Sequence, residues 1–236
     1  MITLRNISLA YGTRMLVADS SAEFRAGELC ALVGRNGAGK STLLRVITAA
    51  DRPSKGEVLL DGTPAHTLAP EALARVIGFV GTDKIRIANL ACEDVVAIGR
   101  APYTNWIGRM QSLDRAIVAE ALQAVGMQAF AQRSIDTLSD GECQRVMIAR
   151  ALAQQTPNII LDEPTAFLDI PTRFDICRLL GRLAHDEGKC ILFSTHDIDA
   201  ALPVCDSFAV IDGGKLSKYS AEQVRDEQIL EKLFMR

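Results

Sequence analysis

One short stretch in the first fifth of the chain has the residue types and spacing that bind phosphate groups. The residues GRNGAGKS fit the pattern G-x-x-x-x-G-K-S/T and stand between a strand-like apolar run and a helix-like run. The glycines let backbone N–H groups face the phosphates, Lys40 neutralises the β- and γ-phosphate charges, and Ser41 is a predicted Mg²⁺ ligand. The predicted nucleotide-binding residues are Gly34, Arg35, Asn36, Gly37, Ala38, Gly39, Lys40, Ser41 and Thr42.

Two adjacent carboxylates form the second candidate site. Asp162 and Glu163 directly follow the apolar run at residues 158–161, and open α/β sheets bind their ligands at the carboxyl ends of strands. Asp162 is predicted to hold Mg²⁺, directly or through water. Glu163 is predicted to polarise the water that attacks the γ-phosphate. A solvated turn is the alternative for such a pair, and the phosphate loop earlier in the chain argues against it.

The elements that must position these groups indicate an α/β fold. Short runs rich in Val, Ile and Leu recur along the chain, and the later ones are separated by helix-length segments, which favours a largely parallel sheet flanked by helices. The runs lie near residue 2 and at residues 29–33, 57–60, 76–80, 158–161, 190–194 and 208–211.

The middle of the chain is different, because strand signals vanish between about residues 84 and 156 and amphipathic helices replace them. Residues 112–125 predict a helix whose apolar face comprises Leu113, Ile117, Val118, Ala121, Leu122 and Val125, and whose polar face comprises Asp114, Arg115, Glu120 and Gln123. We expect one domain over residues 1–236, with a core at 1–83 and 157–236 and a helical subdomain at 84–156.

Composition and charge exclude several classes of protein. The chain is 48% hydrophobic and 23% charged, which is typical of a globular protein. Its net charge is -3, so we expect no nucleic acid as the main partner. The six cysteines stand singly and are expected to be reduced and mostly buried. Charges interrupt every apolar run that could cross a bilayer, and the first residues alternate like a strand rather than a signal peptide.

The segment LSDGE, Leu138 to Glu142, lies about 20 residues before the acidic pair and resembles the signature sequence of ATP-binding cassette (ABC) ATPases, usually LSGGQ. Ser139 and the amides around Gly141 are expected to open a helix beginning near Glu142 and to form an anion site. In the family this site caps the γ-phosphate bound by the opposite subunit, so the resemblance implies that Ser139, Gly141 and Glu142 bind nucleotide. An ordinary helix cap is the alternative for the stretch taken alone.

Other residues match the family in the same order along nearly the whole chain. Tyr11 matches the aromatic residue that stacks on adenine, Asp169 matches the D-loop, and His196 matches the switch histidine that contacts the γ-phosphate. The resemblance implies a P-loop NTPase fold of the ABC type, with an antiparallel β N-terminal part and an inserted α-helical subdomain. It also implies ATP and Mg²⁺ as cofactors, with Glu163, His196 and Lys40 as the catalytic residues.

Two positions depart from the family pattern. Thr82 stands where the family places a Gln that approaches Mg²⁺ and the attacking water, and Asp140 stands where Gly is commoner in the signature. Thr82 has a hydroxyl but is much shorter than Gln. Asp83 or water could fill the role, or the coupling between the nucleotide and the helical insertion is altered.

A further resemblance concerns the importers among the ABC ATPases. Residues 95–103, VVAIGRAPY, resemble the Gly-Arg-x-Pro stretch in the ATPase subunits of iron-siderophore, haem and cobalamin importers. Tyr103, Trp106 and Ile107 lie in the insertion where the family receives the permease, although simple packing is an equal alternative. The implied partners are a second copy of the chain, a polytopic membrane permease and, indirectly, an extracytoplasmic solute-binding protein. The implied location is the cytoplasmic face of the membrane.

Two alternatives to the importer hypothesis keep the same fold. One is a cytosolic ABC ATPase that needs no permease, such as an iron-sulfur assembly factor. The other is a regulator that binds nucleotide and hydrolyses it weakly, which the threonine at position 82 motivates.

Overall fold

The computed structural model describes residues 1–82, 87–104, 110–226 and 229. Within these residues the strands are β1 Ile2–Tyr11, β2 Arg14–Phe24, β3 Leu29–Gly34, β4 Lys55–Leu60, β5 Thr63–Pro64, β6 Ile77–Val80, β7 Asn158–Leu161, β8 Cys190–Ser194, β9 Ser207–Asp212 and β10 Lys215–Ser220. The helices are α1 Lys40–Ile47, α2 Pro70–Leu73, α3 Cys92–Ala97, α4 Ser112–Ala124, α5 Asp140–Ala153, α6 Ile170–Glu187, α7 Ile198–Ala201 and α8 Ala221–Asp226. None of these helices is both long enough and apolar enough to span a bilayer.

The strands form two sheets. The first is antiparallel, with the strand order β2-β1-β4-β5. The second has the order β10-β9-β3-β8-β7-β6 and is parallel from β9 to β6, with β10 antiparallel at its edge. This arrangement confirms the predicted α/β fold with an antiparallel N-terminal part.

The predicted strands all correspond to observed ones, and three observed strands were not predicted. The unpredicted strands are β2, β5 and β10. β2, β5 and β10 each lie at the edge of a sheet. β5 and β10 are short or polar and lack the apolar run that marks an interior strand, whereas β2 contains a short apolar run at residues 15–18, which the prediction missed.

The strand β3 connects the two hydrophobic cores. Ala31 and Val33 belong to a core with residues of α3, α4, α5 and α6, whereas Cys30 and Leu32 belong to a core with residues of β1, β4 and α1. Successive side chains of a strand point to opposite faces of the sheet. Since both faces are covered here, β3 is apolar at every position, as expected for a buried parallel strand.

The helix α4 corrects the predicted division into an apolar and a polar face. Leu113 was assigned to the core, but it is 67% exposed. Asp114 was assigned to the polar face, but it is buried. The carboxylate of Asp114 accepts a hydrogen bond from the backbone N–H of Gln111 at 2.9 Å and pairs with the buried guanidinium of Arg100 at 3.0 Å. A carboxylate with both partners can be buried, which the apolar periodicity does not show.

The Gly-Arg-x-Pro segment packs against the end of α5. A Cβ atom at Gly99 would lie 2.2 Å from the carbonyl oxygen of Arg150, so the close approach requires glycine. Arg100 donates to the carbonyl oxygen of Ala153 at 2.8 Å, and its guanidinium lies 4.1 Å from the ring centroid of Tyr103. Tyr103 in turn donates to the carbonyl oxygen of Gln154 at 3.0 Å. Tyr103 therefore packs against the end of α5, whereas Trp106 and Ile107 lie outside the described residues.

All six cysteines are free and buried, which confirms the prediction of mostly buried, reduced thiols. Burial raises the pKa of Cys30, Cys177 and Cys190 to about 12. Since the thiolate is the reactive form, these residues act as small apolar side chains.

Candidate functional site

The predicted phosphate-binding loop connects β3 to α1. Gly39 is the N-cap of α1 and has a φ angle of 107°, which residues with a side chain rarely adopt. A Cβ atom at Gly34 would lie 2.8 Å from the carbonyl oxygen of Ile211 on the neighbouring β9. The backbone path therefore requires both glycines, and the first N–H groups of α1 are left for an anion.

A cavity of about 310 Å³ opens beside this loop. The residues that line it are Tyr11, Arg14, Leu16, Asn36, Gly37, Gly39, Lys40, Ser41, Thr42 and Glu163. Tyr11 is 77% exposed at the end of β1, so its ring is accessible for stacking. Sequence reasoning missed Arg14 and Leu16. The signal for Arg14 is the short hairpin between β1 and β2, in which Tyr11 pairs with Arg14.

Two of the three predicted catalytic side chains, Lys40 and Glu163, each contact the third, His196. Lys40 is buried, and its Nζ donates to the carbonyl oxygen of Gly34 at 2.9 Å and lies 3.2 Å from Nε2 of His196. The same Nε2 lies 2.8 Å from Oε1 of Glu163. A single ring nitrogen cannot accept from Lys40 and donate to Glu163 at once. The shorter contact to a carboxylate favours the tautomer in which Nε2 carries the hydrogen.

Burial is the main influence on the charge of Lys40. It lowers the pKa of the ammonium group, and the carboxylates of Glu163 and Asp162 act in the opposite direction. A cation that is desolvated in this way gains strongly from an added anion. The position of Lys40 therefore suits the binding of a polyphosphate.

The acidic pair is organised by a residue that sequence reasoning missed. Glu163 has a φ angle of 47°, in the left-handed region. Its backbone N–H donates to the hydroxyl of Ser194 at 2.8 Å, and that hydroxyl donates to Oδ1 of Asp162 at 2.6 Å. The signal was the end of the neighbouring apolar run, because Leu161 pairs with Phe193 in the parallel strands β7 and β8. The next residues along both strands are therefore neighbours.

The donors near the loop fit a magnesium ion. Ser41 lines the cavity, and Asp162 precedes Glu163, which also lines it. Both offer oxygen atoms, which are the ligands that Mg²⁺ prefers, and Mg²⁺ usually takes one or two protein oxygens together with waters and substrate phosphates. With Oδ1 of Asp162 held by Ser194, Oδ2 is the oxygen left for the metal or its water.

The signature segment forms a capped helix start. The helix α5 begins at Asp140, so the predicted start near Glu142 is wrong by two residues. The reason is a capping box: the hydroxyl of Ser139 accepts from the backbone N–H of Glu142 at 3.3 Å, and the Glu142 carboxylate accepts from the backbone N–H of Ser139 at 2.8 Å. The hydrogen bonds that the Glu142 carboxylate accepts from the backbone N–H and the hydroxyl of Ser139 hold its pKa below the usual value.

The signature glycine packs closely against another predicted region. A Cβ atom at Gly141 would lie 2.6 Å from Cγ2 of Thr172, near the start of α6. The carboxylate of Asp169 caps that helix by accepting from the backbone N–H of Thr172 at 3.0 Å. Hydrogen bonds from the side chain and the backbone of Thr172 lower the pKa of Asp169. The cavity at the phosphate loop is not lined by Ser139, Gly141, Glu142 or Asp169, all of which are described residues. The cavity beside the phosphate loop is therefore formed without these four residues.

A polar network joins the segment after His196 to the segment before α6. Arg173 donates to the carbonyl oxygen of Leu168 at 2.7 Å and to the carboxylate of Asp197 at 2.6 Å. Asp197 also accepts from the hydroxyl of Thr165 at 2.6 Å. Sequence reasoning missed this network. It links Asp197, the residue after the switch histidine, to Leu168, the residue before Asp169.

The position of the expected glutamine lies at the end of β6. Thr82 is exposed, two residues beyond that strand. Asp83, the other residue considered for the same role, lies outside the described residues.

Comparison with known proteins agrees with this geometry. The sequence model of the family described as ABC transporter matches residues 17–166. The chain belongs to the ABC transporter family. The matched region includes the phosphate loop, the signature segment and the acidic pair of this ABC protein.

Two curated relatives have named transport roles. The iron(3+)-hydroxamate import ATP-binding protein FhuC of Bacillus subtilis is 33% identical over 99% of this chain and 87% of its own length. The cobalamin import ATP-binding protein BtuD of Halobacterium salinarum is 39% identical over 91% of this chain and 53% of its own length. The ABC chain therefore spans about half of the cobalamin protein and most of the hydroxamate protein.

A solved structure has the same fold. The ATP-binding cassette MJ0796, in a dimeric post-hydrolysis state bound to ADP and phosphate, superimposes with a TM-score of 0.78 and 30% sequence identity, covering 94% of this chain and 99% of that chain. The predicted P-loop ATPase fold of the ABC type is thereby confirmed.

Proposed function

We propose that this chain is the ATP-hydrolysing subunit of an ABC importer that takes up an iron complex, such as a siderophore or haem, or cobalamin. The relatives named for hydroxamate and cobalamin import support the transport class. The observation that carries the ATPase is the contact of Lys40, His196 and Glu163 at the cavity beside the phosphate loop.

ATP binding is proposed to use both ends of this cavity. Tyr11 is exposed at one side and offers its ring to adenine. The backbone amides of residues 34–42 and the ammonium of Lys40 meet the phosphates. Lys40 donates to the carbonyl oxygen of Gly34, and its ammonium group has further hydrogens to donate to a γ-phosphate.

Hydrolysis is proposed to depend on Glu163 as the general base. The carboxylate accepts the proton of the attacking water, while Lys40 balances the negative charge that develops on the transferred phosphoryl group. The Nε2 atom of His196 lies 2.8 Å from Oε1 of Glu163 and 3.2 Å from Nζ of Lys40, so His196 is proposed to donate to a γ-phosphate oxygen. When bound by Ser41 and Asp162, Mg²⁺ supplies charge neutralisation of the phosphate oxygens.

Closure is proposed to require a second copy of the chain. Ser139, Gly141, Glu142 and Asp169 do not line the cavity of their own chain, and the dimeric state of the related cassette supports a site completed from the opposite subunit. ATP drives closure only if it binds the closed dimer better than the open one. After hydrolysis, bound ATP no longer favours the closed dimer, and the two subunits separate again.

A groove in the helical insertion is proposed to receive the permease. It has a volume of about 510 Å³ and lies between α3 and α4, with Glu93, Ala97, Arg115 and Leu122 among its lining residues. Binding there would place the chain at the cytoplasmic face of the membrane. The transported solute would be selected by the permease and by an extracytoplasmic binding protein, because the ATPase subunit does not contact it.

Affinity capture from gently solubilised membranes tests the importer proposal. The bait is Glu163→Gln with ATP, and we expect a polytopic permease in matching amount. The control bait adds Ala119→Glu, a change at an exposed position of the groove that is remote from the phosphate loop. It should retain ATP binding and lose the permease. Recovery of a soluble partner alone, with both baits, would replace the importer by a cytosolic ABC ATPase.

A further inference from the structure

The hydroxyl of Ser194 lies between the two carboxylate residues proposed for metal binding and catalysis. We infer that Ser194 is a positioning residue of the ATPase site, where it orients the Asp162 carboxylate toward the metal and holds the backbone of Glu163. The inference rests on the proposed ATPase function, and it assigns a role to a residue outside the phosphate loop, the signature segment and the acidic pair.

Ser194 is held rigidly at the end of an interior strand. It is the last residue of β8 and is 0% exposed. β8 lies between β3 and β7, and the pairing of Phe193 with Leu161 places the next residue beside Asp162. The backbone N–H of the following residue, Thr195, donates to the carbonyl oxygen of Leu32 on β3. The hydroxyl therefore has little freedom to move away from the acidic pair.

The two hydrogen bonds of this hydroxyl have a fixed direction. A backbone amide can only donate, so Oγ of Ser194 must accept from the N–H of Glu163 at 2.8 Å. The single hydroxyl hydrogen is then free to be donated to Oδ1 of Asp162 at 2.6 Å. One side chain thus connects the side chain of the first carboxylate residue to the main chain of the second.

The backbone of Glu163 needs such support. Its φ angle of 47° is uncommon for a residue with a side chain, and such conformations persist only where the surroundings hold them. The carbonyl oxygen of Glu163 accepts from the N–H of Ala166 at 3.0 Å, and the preceding N–H of Asp162 donates to the carbonyl oxygen of Val80 at 2.8 Å. The backbone N–H of Glu163 donates its hydrogen bond to the hydroxyl of Ser194. Without the hydroxyl, the backbone N–H of Glu163 would lose its hydrogen-bond acceptor. The Glu163 carboxylate would then no longer be held in one position beside the cavity.

Removing the Ser194 hydroxyl should affect metal binding, because this hydroxyl donates to Asp162, the proposed metal ligand. Partners that orient a metal ligand typically change metal affinity or activity by about 10- to 100-fold when they are removed. Loss of the hydroxyl should therefore raise the Mg²⁺ concentration needed for half-maximal activity and lower kcat. The KM for ATP should change less, because the hydrogen bonds of the Ser194 hydroxyl go to Asp162 and Glu163 rather than to the phosphate loop.

The test compares Ser194→Thr with Ser194→Val. The two side chains have nearly the same shape and each adds one heavy atom to a fully buried position, but valine has a methyl group in place of the hydroxyl. Any cost of packing is therefore shared by the pair. Thermal unfolding of both variants measures that shared cost.

The first measurement is the Mg²⁺ dependence of ATP hydrolysis. We expect the valine variant to have a kcat about 10- to 100-fold lower than the threonine variant and a Mg²⁺ half-saturation higher by a similar factor. The second measurement needs no turnover: Mn²⁺ binding in the presence of ATP, followed by electron paramagnetic resonance in a Glu163→Gln background. It should show the same ranking.

Two results would overturn the inference. One is an equal loss in the threonine and valine variants, which would indicate a packing role. The other is an unchanged Mn²⁺ affinity in the valine variant. Neither depends on a permease, so failure of the membrane capture would remove the importer proposal and leave this comparison valid. If the wild-type chain binds Mn²⁺ with ATP but does not hydrolyse it, the ATPase proposal fails while the Mn²⁺ comparison still decides the role of Ser194.

Discussion

The buried pair of Arg100 and Asp114 gives a stability prediction that the structure makes quantitative. The guanidinium donates to the carboxylate at 3.0 Å, and the two side chains are only 4% and 8% exposed. Replacing Asp114 with Asn keeps the shape and an oxygen that can accept from the N–H of Gln111, but it removes the charge. Replacing it with Ala removes the acceptor as well.

The loss of unfolding free energy depends on the partners that Arg100 keeps when the Asp114 carboxylate is removed. Breaking a buried ion pair costs about 3 to 5 kcal/mol, and the lower end applies here because the guanidinium keeps Ala153, Gln155 and the ring of Tyr103 as partners. We therefore expect Asp114→Asn to lower the free energy of unfolding by about 3 kcal/mol. Asp114→Ala should cost about 1 kcal/mol more, because it also removes half of the capping box of α4.

The assay is thermal unfolding near pH 7, with urea unfolding as the second measurement. For a domain of this size, each 1 kcal/mol shifts Tm by about 2 to 4 °C, so Asp114→Asn should lower Tm by about 6 to 12 °C. Glu120→Gln, an exposed acidic position on the same helix, is the matched control. It should change the free energy of unfolding by no more than about 0.5 kcal/mol.

The effect should also depend on pH. The N–H of Gln111 and the Arg100 guanidinium hold the pKa of the Asp114 carboxyl below its ordinary value. A carboxyl whose pKa is lowered in the folded state stabilises the fold above the unfolded-state pKa and stops doing so as the pH falls through the folded-state pKa. The difference between wild type and Asp114→Asn should persist at neutral pH and shrink at acidic pH. An Asp114→Asn protein as stable as the wild type would refute the reasoning.

Three further predictions concern the nucleotide site. Lys40→Ala should abolish tight ATP binding, because a polyphosphate would lose its buried counter-charge; equilibrium binding of a fluorescent ATP analogue measures this, and unchanged affinity would contradict the phosphate-loop role. Glu163→Gln should bind ATP but hydrolyse it about 10²- to 10⁴-fold more slowly and accumulate an ATP-bound dimer, as measured by steady-state turnover and light scattering. A monomer in ATP would argue against the shared site. In that background, Glu142→Gln should tighten ATP-driven dimerisation by about two- to fivefold, because it removes a charge that holds the hydroxyl of Ser139. Weaker dimerisation would show that the carboxylate itself is needed.

The sequence predicted the interior of the fold better than its edges. The buried strands β3, β7 and β8 are continuous apolar runs, since both faces of a parallel sheet are covered. The edge strand β10 lacks such a run, and β2 has only the short run at residues 15–18; neither strand was predicted. On α4 the periodicity identified the buried face of Ile117 and Leu122 but misassigned Asp114, because a buried carboxylate is recognised only through its partner.

The candidate site divides in the same way. Spacing along the chain was enough for the phosphate loop and the acidic pair, because glycines, a lysine and a helix start act within a few consecutive residues. The start of α5 was predicted two residues late, since the reciprocal bonds of Ser139 and Glu142 extend the helix to Asp140.

The phosphate loop could therefore be predicted from the sequence alone, because its functional residues are consecutive in the chain. The contact of Lys40 with His196 joins residues 156 positions apart, and the bond from Glu163 to Ser194 spans 31 positions. The order and register of β3, β8 and β7 in the parallel sheet create such contacts. Strand order depends on how both faces of the sheet are packed, and no local spacing encodes it.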